Sequence, residues 1–438
     1  MYKVAFGDAK NILQSRQTLV TMGVSDRSSM ISIETDFLPY ADNLINVIVS
    51  PNWGKCNISI DEVLRVLTPM GVAIIGNDSK TDAINGLEAK LKTLGVKEIK
   101  TLSRKGWLSF VKPENPLFDT WTHNFGGADL SSVNNDQCAG PWEEIRWIAD
   151  PRWGALAGTY SGRVTSGGKI YYIEGRADNQ WWVARDAYNG FELWREPIEG
   201  KGWVPLWGPG NTLTCDNKWT YATHKNVLIA RDGNTGKIVK EYASGITSRN
   251  NTIAGNFILT SDLARNIVKK GTVVAINKET GQVIWKHPSD AHAPSADGVA
   301  FCIGETEIEG IEIATGKLLW KTAIPKVEGN VKLFHKGEVV YAQYMPPWKP
   351  IGKLSAFNAK TGALLWSKDN PGGNYATMAY KNELAMLDFS KEITSVVLDP
   401  ITGNKKRDIS IKGFSGKCYP TTGTGRKTCG LGLGLWTS

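Results

Sequence analysis

The chain has 438 residues, of which 41% are hydrophobic and 21% are charged; this is the composition of a globular protein with room for two or three domains. The N-terminal sequence has no apolar core or cleavage site of a signal peptide, and no apolar run reaches the roughly 20 residues of a membrane-spanning helix. The net charge is +8, and seven basic residues against one acidic residue follow Asn404. Because the charge is concentrated in one terminal stretch, we expect no nucleic-acid partner.

Residues 1–112 alternate between helical and extended patterns, which predicts an α/β domain. Apolar residues recur at helical spacing from Ile60 to Leu67, and the run GVAIIG has the composition of a buried strand. We expect helices at Asn11–Met22, Ile60–Leu67 and Lys80–Leu94. We expect strands at Met30–Ile33, Ile45–Ser50 and Gly71–Gly76, and a final hairpin formed by Val96–Leu102 and Trp107–Val111.

Two strings in this region, DFLPYADNLINVIVS from Asp36 and DEVLRVLTPMGVAII from Asp61, resemble the second half of class I S-adenosylmethionine (SAM)-dependent methyltransferases. The resemblance implies an incomplete Rossmann-like domain over residues 1–112, with Asp36 near the adenine of SAM. Other cofactor-binding features are displaced or missing: Asp8 comes about two residues after the place of the ribose-binding acid, Met70 replaces a glycine, and no Gly-rich turn precedes the first helix. We therefore expect no SAM cofactor.

Residues 113–157 are rich in Trp, Pro and polar residues, a composition that predicts a junction between domains. The strings DTWTH (Asp119–His123) and Arg146–Trp153 resemble the junction in bacterial proteins, familiar from planctomycetes, that fuse a methyltransferase-like domain to a β-propeller. This resemblance implies an architecture and names no reaction. For His123 we favour a packing or hydrogen-bonding role over a catalytic one.

One motif then recurs six times. A small or apolar residue is followed two positions later by Asp or Asn in most copies, a Gly follows four residues after that, and four copies end in Trp. The turn glycines are 35 to 46 residues apart, near the period of propeller blades and too long for helical hairpins; they are Gly190, Gly236, Gly281, Gly316, Gly362 and Gly403.

The chemistry of this motif predicts two strands joined by a tight turn. An Asp or Asn side chain can accept hydrogen bonds from the backbone of the turn, and Gly supplies the positive φ that the turn needs. Further apolar strands lie upstream of each copy, as in KIYYI (Lys169–Ile173). With three to four strands per period, residues 158–412 predict an all-β propeller of about six blades.

The motif resembles the tryptophan-docking repeat of pyrroloquinoline-quinone (PQQ)-dependent alcohol dehydrogenases and of the outer-membrane assembly lipoprotein with the same fold. The resemblance implies that the repeat tryptophans pack between neighbouring blades. Two junctions should be weaker, because Lys240 and Arg407 stand in place of Trp. The tryptophans are Trp194, Trp285, Trp320 and Trp366.

The dehydrogenases of that family also use a vicinal disulfide and a calcium site. The six cysteines of this chain stand singly, and no calcium ligands can be assigned, so we expect no PQQ cofactor. No hydrolase, metalloprotease or nucleotide-binding motif is present. His287 and His292, with Asp290 between them, could bind a metal; we favour a polar connecting loop, and we expect no metal site and no catalytic residue.

Residues 413–438 contain seven glycines and predict a disordered tail, with a ring that is open or imperfectly closed where relatives have about eight blades. We interpret the chain as a non-catalytic binding or scaffolding propeller that takes a protein or small-molecule ligand on its face. The alternatives are a SAM-dependent methyltransferase in full-length form and a PQQ-dependent oxidoreductase. The compartment and oligomeric state stay open, although related full-length proteins often look exported.

Overall fold

The chain divides into two compact units, Met1–Asn115 (unit 1) and Pro116–Ser438 (unit 2). The computed structural model describes residues 3–7, 9–23, 25, 28–32, 36–55, 57–123, 125–133, 135–138, 147, 163–176, 179–198, 212–224, 227–263, 270–326, 330–345, 351–371, 375–380, 382–388 and 392–415. Across these ranges, no helix has the length and apolarity to span a membrane.

Unit 1 is an α/β region with two parallel strand pairs, each joined through a helix. Strand β1 pairs with β2 around helix α1, and β3 pairs with β4 around helix α2. Strands β5 and β6 form an antiparallel hairpin, and β6 lies against β4, giving the sheet order β3-β4-β6-β5. The bounds are β1 Lys3–Gly7, α1 Ala9–Thr21, β2 Ser28–Ser32, β3 Ile45–Ser50, α2 Ile60–Val66, β4 Leu67–Gly76, β5 Ile99–Thr101 and β6 Trp107–Val111.

Helix α2 forms where the sequence has a cap, an apolar face and charges of favourable sign. The Ser59 hydroxyl accepts a hydrogen bond from the Glu62 amide at 3.1 Å, which satisfies one of the free N–H groups of the first turn. Ile60 and Val63 are buried and contribute to the core against the sheet. This apolar spacing is the one that predicted the helix.

The single helix predicted over Lys80–Leu94 is wrong. A 3₁₀ helix covers Thr81–Ile84 and helix α3 covers Leu87–Thr93. Gly86 lies between them at φ +75°, a left-handed conformation that α-helix propagation does not allow. Leu87 and Leu91 are still buried on one face, so the apolar pattern was real and the interruption was missed.

Unit 2 contains, within the described ranges, six four-stranded antiparallel sheets, which we name blades 1 to 6 in chain order. Within each blade the strands are adjacent in the order of the chain. Blades 1 to 3 are β7 Val164–Ser166, β8 Lys169–Arg176, β9 Asn179–Asp186 and β10 Glu192–Ile198; β11 Thr214–Cys215, β12 Trp219–His224, β13 Val227–Asp232 and β14 Ile238–Tyr242; and β15 Asn250–Ala254, β16 Phe257–Ser261, β17 Gly271–Asn277 and β18 Val283–Ser289.

Blades 4 to 6 repeat the same pattern. Strand β30 extends three residues beyond the predicted end of the propeller at residue 412. The strands are β19 Ser295–Ala296, β20 Val299–Ile303, β21 Glu307–Glu312 and β22 Leu318–Ala323; β23 Asn330–Lys336, β24 Val339–Met345, β25 Ile351–Asn358 and β26 Leu364–Pro371; and β27 Tyr375–Tyr380, β28 Glu383–Asp388, β29 Glu392–Leu398 and β30 Lys405–Ser415.

The first strands of neighbouring blades contact each other: β11 touches β7 and β15, and β15 touches β19. In blades 1 to 4 the first strand is therefore central and the fourth is outermost, as a propeller requires. Small buried clusters join adjacent blades; one of them combines residues of blades 1 and 2. Residues 416–438, for which a disordered tail and an open ring were predicted, lie outside the described residues.

The repeat motif forms the turn between the third and fourth strands of each blade. In blade 2, the carboxylate of Asp232 accepts hydrogen bonds from the amides of Asn234 (3.0 Å) and Thr235 (2.8 Å). The amide of Gly236 then donates to the carbonyl of Asp232 at 2.9 Å. All six turn glycines have φ between +69° and +79°, where a side chain would be strained.

Candidate functional site

The repeat tryptophans lie on the outermost strands and face the next blade. We call each such contact a rim junction. Trp194 of blade 1 lies against Gly236 of blade 2, where an added Cβ would come within 2.7 Å of the indole. The same pairing joins blade 3 to 4, 4 to 5 and 5 to 6; the pairs are Trp285 with Gly316, Trp320 with Gly362, and Trp366 with Gly403.

Each of these indoles also donates a hydrogen bond to the next blade. The acceptor is always the carbonyl one residue after the Asp, Asn or Glu that opens the turn. The bonds run from Nε1 of Trp194 to Gly233 (3.0 Å), of Trp285 to Ile313 (2.8 Å), of Trp320 to Ala359 (2.9 Å) and of Trp366 to Pro400 (2.8 Å). A rim junction thus combines close packing on glycine with one directional bond.

The register of the sheets explains why the motif begins with a small residue. Ala184 is the cross-strand partner of Trp194, and Ala275 is the partner of Trp285. In blade 4 the partner of Trp320 is Gly310, where a Cβ would lie 2.5 Å from the ring. The small residue therefore leaves room for the indole on its own blade, while the turn glycine leaves room on the next.

The junction between blades 2 and 3 has Lys240 at the tryptophan position, as the sequence indicated. The space above Gly281 is looser, with the nearest atoms 3.9 Å from an added Cβ. However, Tyr242 donates from its hydroxyl to the Lys278 carbonyl at 2.8 Å, the carbonyl equivalent to the indole acceptors. Burial raises the pKa of Tyr242, which keeps this hydroxyl protonated. Lys240 bonds the neighbouring carbonyl of Glu279.

Sequence reasoning missed a fifth docking tryptophan. Trp147 lies against Gly190 of blade 1, close enough that a Cβ on the glycine would clash with its ring, and its Nε1 donates to the Ala187 carbonyl at 3.1 Å. It comes from the stretch predicted as a junction and not from a recognised repeat. The available signal was a Trp at the end of the string EEIRW, similar to the FELW of blade 1. Arg407, the other exception, pairs with Glu383 of its own blade.

A second set of contacts joins the blades at the centre. Residues 121–130, which we name the hub segment (residue 124 lies outside the described part), cross the first strands of successive blades. His123 accepts a hydrogen bond at Nε2 from the Ile253 amide of blade 3 at 2.8 Å. Backbone carbonyls of the segment accept hydrogen bonds of 2.8 to 2.9 Å from backbone amides of blades 1, 2, 4 and 5. The carbonyl and amide pairs are Trp121 with Thr165, Thr122 with Cys215, Ala128 with Ser295, and Asp129 with His335.

His123 is 3% exposed, and burial, with a smaller effect of nearby His292, lowers its pKa to about 3. Because Nε2 accepts a hydrogen bond, the proton resides on Nδ1, which lies 2.7 Å from the Thr122 hydroxyl. Both ring nitrogens are thus used by the fold. This geometry matches the hydrogen-bonding role favoured from the sequence.

The two histidines considered as metal ligands have different partners. His292 is half-buried, with Nε2 2.6 Å from the Thr252 hydroxyl and Nδ1 3.0 Å from the Ser261 hydroxyl. Burial lowers its pKa to about 4. His287 contacts the Glu309 carboxylate at 2.5 Å. The two imidazoles thus have separate polar partners, those of His292 in blade 3 and that of His287 in blade 4.

In unit 1, Asp36 is exposed, and Asp8 lies outside the described residues. The loop after Asp36 is tied to helix α2 by a pair of charged residues that sequence reasoning did not single out. Glu62 accepts from the Leu38 amide at 2.7 Å, and Arg65 donates to the carbonyls of Leu38 (3.0 Å) and Tyr40 (2.8 Å). Their helical spacing was the available signal, since positions three apart face the same side.

Comparison with known proteins assigns part of this architecture. The family described as outer membrane protein assembly factor BamB, a PQQ-type repeat family, matches residues 269–416, from the third strand of blade 3 to the end of blade 6. No curated protein matches the chain.

Solved structures that resemble the chain are remote in sequence. BamB from Moraxella catarrhalis is 15% identical, with a TM-score of 0.40 over 56% of this chain and 71% of that chain. A europium-containing methanol dehydrogenase is 12% identical, with a TM-score of 0.43 over 67% and 78%. Hsv2 of Kluyveromyces lactis is 8% identical, with a TM-score of 0.35 over 53% and 71%. The family match identifies residues 269–416 as part of a BamB-like β-propeller of the PQQ type.

Proposed function

We propose that the chain is a non-catalytic binding and scaffolding propeller whose partner is a protein. The observation that carries this proposal is a band of exposed apolar side chains on the outermost strands of several blades. They lie between the turn glycine and the tryptophan position of the repeat, and each is 43% to 55% exposed: Leu193, Ile238, Val239, Leu318, Leu319 and Leu364.

The strands that carry this band are β10, β14, β22 and β26, each at the edge of its sheet. An edge strand has unpaired backbone groups, and an extended segment of a partner can add to it as a further strand. Exposed apolar side chains then contribute contact area that the polar backbone does not. The family that matches residues 269–416 is named for an assembly factor, which supports a role with protein partners.

Photo-crosslinking in cells of the source organism tests this proposal. A photoreactive amino acid is placed at Leu318 or Leu364 of the intact chain, and at Ile401 as the control, which is 46% exposed but lies in a turn. We expect discrete protein adducts at residues 318 and 364 and none at 401. Adducts at all three positions, or at none, would contradict the proposal.

For unit 1 we propose a vestigial class I methyltransferase-like domain with a Rossmann-like α/β fold. Two features support this: β3, α2 and β4 form a parallel crossover where the resemblance places the fourth strand, a helix and the fifth strand, and β5 and β6 form the final hairpin. The Asp36 loop is tied to Arg65, and Asp36 alone matches a cofactor contact. We expect no binding of SAM at millimolar concentration by calorimetry; saturable micromolar binding would show that the site is functional.

A further inference from the structure

A cleft of about 530 Å³ lies between blades 1 and 2, a volume in the usual range for small-molecule sites. Its lining includes the buried residues Ile173, Trp182 and Ala222, together with Arg231. Glu196 and Lys237 also line it. The cleft precedes residues 269–416 in the chain, so the family match does not cover it.

Arg231 is 8% exposed, and its guanidinium is only partly satisfied by the protein. Nη1 donates to the Gly236 carbonyl at 2.6 Å, while the half-exposed Glu196 carboxylate forms an ion pair at 3.5 Å, longer than a strong hydrogen bond. Nε is buried and has no hydrogen-bond partner among the described residues. A buried guanidinium with unused donors is costly unless an anion compensates it.

Trp182 packs beneath this cation at the buried end of the cleft. The Arg231 guanidinium carbon is 5.5 Å from the centre of the Trp182 ring, and the indole is 2% exposed. Ile198 and Ile229 extend the apolar lining. The cleft therefore combines a positive group with an apolar surface, and Lys237 adds a second positive charge against the single carboxylate of Glu196.

We propose that this cleft binds a small monocarboxylate with an apolar or aromatic body, whose carboxylate pairs with Arg231 and whose body lies along the apolar lining of Ile198, Ile229 and Ile238. A planar guanidinium suits a carboxylate, and such charge-assisted bonds are stronger than neutral ones. Glu196, with 37% of its side chain exposed, can turn toward solvent when a ligand carboxylate takes its place. This inference does not rest on the proposed protein partner.

Calorimetry on the intact chain tests the site with a matched pair of probes, 4-phenylbutyrate and the neutral 4-phenylbutan-1-ol. The two share an aromatic body and differ in the charged group. We expect the carboxylate to bind at least tenfold more tightly, because a charge-assisted bond contributes about ten- to hundredfold in affinity. Equal affinities, or no binding of the carboxylate at about ten millimolar, would overturn the proposal; this arm needs no variant.

Two arginine variants locate the site. Arg231→Gln should weaken 4-phenylbutyrate about tenfold or more and leave the alcohol unchanged. Arg195→Gln is the matched control: Arg195 lies over the neighbouring Trp181, 5.9 Å from its ring centre, and does not line the cleft. We expect no change in affinity for that variant. Wild-type affinity in Arg231→Gln, or an equal loss in both variants, would overturn the assignment to this cleft.

Discussion

The rim junctions and the hub segment join the same blades by different means. A rim junction links two adjacent blades through one indole, one glycine and one carbonyl, and the repeat supplies these parts several times over. The hub segment touches five blades with a single stretch of chain, mostly through backbone carbonyls, and nothing in the repeat encodes it. Periodic sequence therefore fixes the contacts between neighbouring blades, as in other repeat proteins, whereas the centre depends on one segment outside the repeats.

The largest expected effect comes from removing one rim tryptophan. Trp320→Ala deletes the contact with Gly362 and the bond to Ala359, and should lower the free energy of unfolding by about 3–5 kcal/mol. Lys240→Ala, at the same motif position of blade 2, should cost about 1 kcal/mol or less, because Lys240 makes only a polar contact near the surface. Chemical denaturation of both variants gives the two values. Similar losses would break the distinction between Trp and Lys junctions.

The hub predicts a dependence of stability on pH. His123 has a pKa near 6.5 in the unfolded chain and about 3 in the folded protein. The unfolded chain therefore binds a proton first as the pH falls, and stability present above pH 6.5 is lost progressively toward pH 3. By this linkage, wild type should lose about 2 kcal/mol at this site between pH 7 and pH 5.

The variant His123→Gln separates this effect from other titrations, because a glutamine binds no proton in this range. Urea denaturation at pH 7 and pH 5 should show a smaller loss in the variant than in wild type. His292, whose pKa is also lowered, remains in both proteins and cancels in the comparison. An equal loss in both would mean that His123 is not held neutral at the hub.

The smallest effect is expected at the junction of blades 2 and 3. Tyr242→Phe removes only the hydroxyl that donates to the Lys278 carbonyl, and should cost about 1–2 kcal/mol if that carbonyl is left unpaired. Tyr172→Phe is a useful comparison, since its hydroxyl accepts from Arg185 Nε at 2.8 Å within blade 1. The two variants should share the loss of a hydrogen bond, but only Tyr242→Phe should loosen blade 3 in hydrogen exchange. Unchanged exchange in blade 3 would remove Tyr242 from the junction.

The repeat was predictable because its chemistry is local. An Asx turn, a glycine at positive φ and a Trp four residues later can be recognised in the sequence, and the spacing of the copies gives the length of a blade. Trp147 and Tyr242 were not predicted as rim residues. Trp147 lies outside the six recognised copies of the motif, and Tyr242 lies two residues after the tryptophan position of blade 2. The hub segment was also not predicted, since most of its hydrogen bonds are accepted by backbone carbonyls, which every residue has. In unit 1, Gly86 interrupts the stretch Lys80–Leu94, which apolar spacing alone predicted as one helix.

A double-mutant cycle at Trp320 and Gly362 tests most directly whether the indole–glycine contact joins adjacent blades. Gly362→Ala places a methyl group against the indole of Trp320 at φ +73°, so it should be destabilising both by collision and by backbone strain. In the Trp320→Ala background the collision with the indole is gone, while the strain of about 1–2 kcal/mol and the contact with the Thr322 hydroxyl, 2.8 Å from the added methyl, remain. We predict a coupling of about 1–3 kcal/mol between the two sites. Strictly additive losses would contradict the account.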